Sequence, residues 1–158
     1  MSTGVSGDRA ISDVTFREVE DGDVEQVVAL WTDCGLTRPW NDPHLDVADA
    51  RRNPTSSVLV GVLGERLVST AMVGYDGHRG WVYYLAVAPD LQGSGLGRAT
   101  MAAAEARLGS AGVRKVRLMV RAGNEAVVRF YESLGYADSG AAQVLGRDLP
   151  PLDLPPSR

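Results

Sequence analysis

The chain has 158 residues, of which 44% are hydrophobic, and a formal net charge of −4 at pH 7. That length predicts a single domain that buries a core without disulfides or metals. The acidic balance argues against nucleic acid or an anionic membrane as the main partner, because both favour a basic face. The single cysteine, Cys34, excludes a disulfide within the chain and indicates a reducing, cytoplasmic setting.

The first half of the chain predicts a strand, a helix and then an antiparallel meander. Thr15–Val19 is a short strand candidate, and apolar residues from Val24 to Trp31 follow at helical spacing. Arg38–Pro43 carries two prolines and is expected to be irregular. Tight turns at Gly64-Glu65 and Asp76–Gly80 join three β-rich runs, which are Ser57–Leu63, Leu67–Tyr75 and Trp81–Val87.

The second half predicts alternating helices and strands. A helix begins near Gly95, a half-buried strand runs over Val113–Val120, and Val127–Leu134 carries the stripe of a last helix. Ala141–Leu149 is a final, weaker strand candidate. Because a strand–helix–strand unit crosses over with a right hand, Trp81–Val120 predicts two parallel strands.

The two ends and the histidines narrow the possibilities further. Residues 1–13 are expected to be a flexible tail, 14–149 the domain, and 150–158 a proline-rich tail. The opening residues lack the basic and apolar regions of a secretory leader, and no apolar run is long enough to span a membrane. His44 and His78 are too far apart for a recognisable metal site, so no metal is expected.

A glycine-rich segment, Gln92–Arg98, lies between a predicted strand and a predicted helix. The first turn of a helix has free N–H groups and attracts anions, and glycine lets the backbone approach a phosphate. A P-loop does not fit, because no Lys-Ser or Lys-Thr follows, and the third glycine of a dinucleotide fingerprint would fall on Arg98. The remaining pattern is Q-x-x-G-x-G, and the alternative is a tight turn without a ligand.

Three stretches, in this order, resemble the GNAT superfamily of N-acetyltransferases. Tyr83–Pro89 ends in the L-x-V-x-P form, Leu91–Gly97 matches the pyrophosphate loop, and Asn124–Tyr136 matches N-x-x-A/V-x-x-F-Y-x-x-L-G-F/Y. Leu36–Pro43 and Gly74–Gly80 further resemble the bacterial YpeA-like branch. The resemblance implies a single α/β (α+β) domain with a mixed, mostly antiparallel sheet of about six to seven strands, flanked by about four helices.

The same resemblance implies that acetyl-CoA is the cosubstrate. Exposed backbone on the strand around Leu85 and Val87 would pair with the pantetheine arm and stabilise the oxyanion of acyl transfer. The loop amides and Arg98 would hold the pyrophosphate. The expected donor-binding residues are Leu85, Ala86, Val87, Gln92, Gly93, Ser94, Gly95, Leu96, Gly97, Arg98, Asn124 and Tyr131. From the residues alone, Asn124 is equally an ordinary helix N-cap.

Catalysis is expected to use Tyr131, which by the resemblance would give a proton to the leaving thiolate. From its own pattern Tyr131 is also a core residue, because it lies on the helix stripe. The general base stays open, because Trp81–Leu85 contains no acid. A water chain is one possibility, and the side-chain candidates are Tyr83, Tyr84, Asp76 and His78.

The acceptor is expected to be a primary amine on a small molecule, a peptide or a protein. Its site would be formed by Trp40, Asn41, Asp42, Tyr75, His78 and Tyr83. Trp40 has an alternative role as a hydrophobic anchor for its loop. We expect direct transfer in a ternary complex and a possible homodimer; the alternatives are an inactive module that binds or senses acyl-CoA and an interaction domain without a ligand.

Overall fold

The computed structural model describes residues 11–138, 140 and 142–151 of the chain. The chain divides into two compact units, Met1–Arg121 and Ala122–Arg158. Of the expected N-terminal tail, residues 1–10 lie outside the described part, and Val14 N donates to Ile11 O at 3.1 Å in a turn. No helix in the described ranges is long and apolar enough to cross a membrane.

The first unit is built on a five-stranded sheet in the order β1-β2-β3-β4-β5. Neighbours are antiparallel except β4 and β5, which are parallel, so the predicted parallel pairing is confirmed. Along the chain the elements are β1 Thr15–Glu18, α1 Val24–Asp33, α2 Pro43–Arg52, β2 Ser56–Leu63, β3 Arg66–Tyr75, β4 Gly80–Val87, α3 Leu96–Ser110 and β5 Val116–Leu118.

Helices cover both faces of this sheet. Two adjacent residues of β3 show it, because neighbouring side chains on a strand point to opposite faces. Thr70 accepts a hydrogen bond from Trp31 Nε1 of α1 at 2.9 Å, while Ser69 accepts one from Thr100 Oγ1 of α3 at 2.9 Å. Trp31, Thr70, Ser69 and Thr100 are all fully buried. Both layers are therefore fixed to the central strand through satisfied buried polar groups.

Helix α2 begins inside the segment that the two prolines mark as irregular. Asp42 is its N-cap, with Oδ1 accepting from His44 N at 2.9 Å and Leu45 N at 3.4 Å. Pro43 occupies the first turn, where a missing N–H costs nothing. The prediction of irregular structure is therefore wrong at Pro43, because a proline that breaks a helix interior is well suited to a helix start.

The second unit contains α4, Glu125–Ser133, capped by Asn124, whose side chain accepts from Val127 N at 3.4 Å. The predicted helix is confirmed. Residues 142–149 have neither helix nor strand, so the strand predicted at Ala141–Leu149 is wrong there; Ala141 itself lies outside the described residues. Gly146 interrupts this run, and Val144 and Leu145 stay exposed, so they gain nothing from strand pairing.

The described residues thus hold five strands rather than the expected six to seven. The strand predicted over Val113–Val120 is also shorter and spans Val116–Leu118. This shortening decides what the neighbouring strand β4 exposes.

Candidate functional site

The parallel partner of β4 covers only the beginning of that strand. The ladder pairs Gly80–Val82 with Val116–Leu118, where β5 ends, while β4 continues to Val87. In the described part of the chain, Tyr83–Val87 therefore has a strand partner on the β3 side alone. We call this stretch the open edge. Unpaired strand groups can bind an extended ligand as a further strand would.

A β-bulge lies within the open edge. The register with β3 shifts between Thr70 and Met72, so that Tyr84 and Leu85 together oppose one residue. Tyr84 has φ of 49°, and among the described residues it is the one non-glycine with positive φ. A left-handed conformation costs such a residue about 1–2 kcal/mol, so the surrounding contacts must hold it in place.

Three contacts hold Tyr84. Its ring stacks on Trp31, with centroids 3.8 Å apart and planes 9° from parallel. Its hydroxyl donates to Asp46 Oδ2 at 2.6 Å, and its carbonyl accepts from Thr70 Oγ1 at 2.8 Å. Burial, and then the bond to Asp46, raise the pKa of Tyr84 far above its usual value. The phenol is therefore neutral at physiological pH.

These contacts also orient the backbone of the open edge. In a planar trans peptide, the N–H of one residue points opposite to the preceding C=O. Because the Thr70 hydroxyl holds the Tyr84 carbonyl, the N–H of Leu85 points away from that hydroxyl. Ala88 N donates to Val68 O at 2.8 Å, so the Val87 carbonyl also points away from β3. Leu85 thus presents a fixed donor at the open edge.

The glycine-rich segment lies where β4 leads into α3. Gly93 has φ of 77° and Gly95 has φ of 89°, and Gly95 is the N-cap of α3. A Cβ on Gly93 would meet nothing within 4 Å, so the loop surface is open there. Gln92 Nε2 donates to Val87 O at 3.2 Å, and Ser94 Oγ donates to Leu91 O. The free amide N–H groups of the first turn of α3 can donate hydrogen bonds to a bound anion.

The cysteine lies beside the same strand end. Cys34 is half-buried, and its thiol donates to Val87 O at 3.3 Å. Burial raises the pKa of this thiol. A reactive nucleophile needs a lowered thiol pKa, so Cys34 lacks the environment of a covalent catalyst.

The predicted acceptor residues fall into two groups. Trp40, Asn41 and Asp42 precede α2; Trp40 is 72% exposed, so the structure does not use it as a core anchor. The carboxylate of Asp42 caps α2. Tyr75 ends β3 and His78 lies in the β3–β4 turn, where Tyr75 Oη donates to Gly77 O at 3.3 Å.

Tyr83, by contrast, is the first residue of the open edge. It stacks with Trp81 at a centroid distance of 6.4 Å and is 41% exposed. Burial raises the pKa of the Tyr83 hydroxyl. Five residue steps separate Gly80 from Leu85, about 16 Å at the usual strand rise. The turn residues therefore lie far along β4 from the Leu85 donor.

Asp76, one of the candidate bases, organises the turn. Its Oδ1 accepts from His78 N at 2.8 Å and Arg79 N at 2.7 Å, and Oδ2 accepts from Trp81 Nε1 at 3.2 Å. The backbone bonds from Arg79 and then His78 lower the pKa of Asp76. A carboxylate stabilised in this way is a poor proton acceptor.

Asp46 is the residue that the sequence did not single out. It lies in the first turn of α2, where an acid reads as a partner for the helix dipole. Its contact with Tyr84 joins residues 38 positions apart. The sequence offers one weak signal for Asp46, which is an acid in the first turn of a helix in a chain whose general base is not identified.

The second unit holds the remaining predicted residues. Asn124 is the N-cap of α4, as its alternative interpretation expects. Tyr131 is half-buried, with its ring 5.1 Å from Phe130 and 5.8 Å from Tyr136, both edge-on. Burial raises the pKa of Tyr131 to about 12, so it is a neutral hydrogen-bond donor at pH 7. In the described ranges, no group of three His, Cys, Asp or Glu residues is placed to hold a metal ion.

Comparison with known proteins gives a consistent family. The model of the acetyltransferase (GNAT) family matches residues 24–136. An acetyltransferase of Sodalis glossinidius is 41% identical over 134 residues, covering 85% of this chain and 94% of the relative. An acetyltransferase of Pectobacterium atrosepticum is 43% identical over 121 residues, covering 77% and 86%.

Solved structures show the same fold. AAC(6')-Iy, in complex with the bisubstrate analog CoA-S-monomethyl-acetylneamine, has a TM-score of 0.73 at 14% identity, covering 86% of this chain and 99% of that one. The ribosomal-protein-S18-alanine N-acetyltransferase from Escherichia coli has a TM-score of 0.68 at 23% identity, covering 80% and 79%. At these identities the likeness concerns the fold.

Proposed function

Because this chain belongs to the GNAT family of acetyltransferases and is an acyltransferase, we propose that it moves an acetyl group from acetyl-CoA directly to a primary amine. The observation that carries this proposal is the open edge, where the bulge and the bond to Tyr84 O turn the N–H of Leu85 away from the Thr70 hydroxyl. An N–H held in this way is suited to the oxygen of a thioester, on which negative charge develops during acyl transfer.

The donor substrate would lie along β4 and the loop that follows. Backbone groups of Leu85, Ala86 and Val87 would pair with the amides of the pantetheine arm. The amides of Gly93, Ser94, Gly95, Leu96 and Gly97, with Gln92 and Arg98 beside them, would hold the pyrophosphate at the start of α3. The open surface at Gly93 supports this fit, because a side chain there would stand in the way.

We propose a ternary complex rather than an acetylated enzyme. The raised thiol pKa of Cys34 and its bond to Val87 O support direct attack by the amine. No other cysteine occurs in the sequence. A reducing, cytoplasmic setting suits this lone thiol.

By the family motif, Asn124 would contact the donor arm and Tyr131 would contact the leaving sulfur. A phenol with pKa of about 12 keeps its proton better than a thiol of ordinary pKa near 8.5. Tyr131 would therefore stabilise the thiolate mainly by donating a hydrogen bond as the C–S bond breaks, with the proton following from solution.

The acceptor would enter from the loop before α2 and the Tyr83 side of β4. Trp40 is free to contact a substrate because its indole is largely exposed. Asn41 and Asp42 adjoin it, and Tyr75, His78 and Tyr83 would contact the distal part of a long acceptor. The acceptors named for the structural neighbours, a neamine and a ribosomal-protein alanine, belong to those proteins.

Calorimetry with acetyl-CoA, followed by thioester consumption with a panel of amines, tests this function. A ligand at 100 times its Kd stabilises the native state by about 2.7 kcal/mol, which a melting curve detects. Binding and amine-dependent consumption are expected. Binding without consumption by any amine would favour the module that binds or senses acyl-CoA, and no binding would refute both.

A further inference from the structure

We propose that Tyr84 and Asp46 form the proton relay that removes a proton from the acceptor's ammonium group, with Tyr84 as the catalytic residue and Asp46 as the proton sink. This inference rests on the proposed function, because it supplies the base that amine acetylation requires. Its geometric basis is the 2.6 Å hydrogen bond from Tyr84 Oη to Asp46 Oδ2, made across α2 and β4.

The position of the relay follows from the chain. Tyr84 directly precedes Leu85, so their Cα atoms are about 3.8 Å apart. The N–H of Leu85 points away from the Thr70 hydroxyl, and the phenol of Tyr84 extends over the face that carries α1 and α2. The loop that holds exposed Trp40 leads directly into α2, the helix of Asp46. The pair therefore joins the residue that precedes the proposed oxyanion donor to the helix that follows the proposed acceptor loop.

The positive φ of Tyr84 and the number of contacts that hold it there support a functional role. A tyrosine in left-handed backbone, stacked on a fully buried tryptophan and bonded at both its hydroxyl and its carbonyl, is over-determined. Strain of this kind collects at functional sites. A glycine at position 84 would fit the backbone without strain, but it would lack the hydroxyl.

The other candidate bases are less well placed. Asp76 spends its carboxylate on three hydrogen bonds of the β3–β4 turn, and His78 lies on that same turn. Within the described residues, Tyr83 stacks on Trp81, and its hydroxyl makes no hydrogen bond to a carboxylate. Tyr84 is the tyrosine of β4 whose hydroxyl contacts a carboxylate in the described chain.

Every proton released in the reaction can be followed through this pair. The ammonium nitrogen gives a proton to Tyr84 Oη while the phenol proton passes to Asp46 Oδ2, so no free tyrosinate forms. The neutral nitrogen attacks the thioester carbon, a C–N bond forms and the C–S bond breaks. The nitrogen loses a second proton and the CoA sulfur gains one. The products are the amide, the CoA thiol and one proton, which Asp46 releases to solvent.

The test compares two nucleophiles at pH 7 in wild type, Asp46→Asn, Tyr84→Phe and the control Asp49→Asn. n-Butylamine arrives protonated, whereas hydroxylamine arrives neutral and needs no prior proton loss. Asparagine at 46 can still accept the Tyr84 hydrogen bond but cannot take up the proton. Asp49 lies on the same helix and pairs with Arg52 in solvent, so its variant loses the same charge away from Tyr84.

We expect both relay variants to lower kcat with n-butylamine by about 100-fold, the low end of general acid–base catalysis. Their hydroxylamine turnover and acetyl-CoA Kd should stay close to wild type, and Asp49→Asn should match wild type throughout. Equal losses with both nucleophiles, or no loss with either, would overturn the relay while the proposed function stands. If wild type binds acetyl-CoA but consumes it with no amine, the proposed function fails and the relay falls with it.

Discussion

Replacing Thr70 by valine removes one hydroxyl from the centre of the fold with almost no change of shape. Thr70 is fully buried, accepts from Trp31 Nε1 at 2.9 Å and donates to Tyr84 O at 2.8 Å. Valine leaves both the Trp31 Nε1–H and the Tyr84 carbonyl without this hydrogen-bond partner. Leaving a buried polar group without its partner costs about 1–3 kcal/mol, so two such groups place the loss at about 2–6 kcal/mol, with about 3 kcal/mol as the working value.

For a chain of this length, 1 kcal/mol lowers the Tm by about 2–4 °C, so Thr70→Val should melt about 6–12 °C below wild type. Urea unfolding followed by circular dichroism measures the free energy directly. Thr70→Ser is the matched control, because it keeps the hydroxyl and loses one methyl, which costs about 1 kcal/mol.

The expected order of stability is therefore wild type, then serine, then valine, although valine matches the volume of threonine better. Acetyl transfer should fall at least about tenfold in Thr70→Val, because the Tyr84 carbonyl no longer fixes the Leu85 N–H, the proposed oxyanion donor. A valine variant as stable as wild type, or more stable than the serine variant, would refute this account of the bulge.

Three further predictions concern other parts of the chain. Tyr131→Phe should lower turnover by about 100-fold while acetyl-CoA affinity stays unchanged, and unaltered turnover with saturating amine would remove Tyr131 from the mechanism. Asp23→Asn should lower the free energy of unfolding by about 2 kcal/mol at pH 7, measured in urea, because the Arg17 hydrogen bond at 2.6 Å lowers the pKa of Asp23. A carboxylate whose pKa is lowered by folding stabilises the native state above its unfolded pKa near 4, and this stabilisation disappears as the pH falls through the folded pKa. The difference between variant and wild type should therefore shrink towards pH 3. Gly95→Ala should cost about 1–2 kcal/mol and weaken acetyl-CoA binding in calorimetry, because Gly95 has φ of 89°, while the control Gly109→Ala on the same helix should do neither.

Local patterns were sufficient to predict much of this fold. The glycine-rich segment, the hairpin at Gly64-Glu65 and the parallel crossover to β5 depend on short stretches of chain and on the handedness of connections. The capped helix at Asn124 is equally local. These features follow from the sequence because their causes lie within a few residues.

What the sequence missed depends on contacts between distant residues. Tyrosine carries no signal for a positive φ, so the bulge at Tyr84 becomes visible only when Trp31, Asp46 and Thr70 surround it. The partner that makes Asp46 distinctive is 38 positions away. The strand wrongly predicted at 142–149 is the opposite case. The weak alternation around Gly146 favours a strand, but these residues have no neighbouring strand to pair with in the described chain.

The large exposure of Trp40 bears on how readily enzymes of this build change substrate. Tyr84 serves packing, backbone geometry and proposed chemistry together, so an exchange there for a residue without an aromatic ring disturbs all three. The indole of Trp40 supports none of the core, so substitutions in its loop carry little folding penalty. Under the proposed function, selection or library design aimed at Trp40 and Asn41 would therefore change acceptor contacts without disturbing the proposed donor site on β4 and α3.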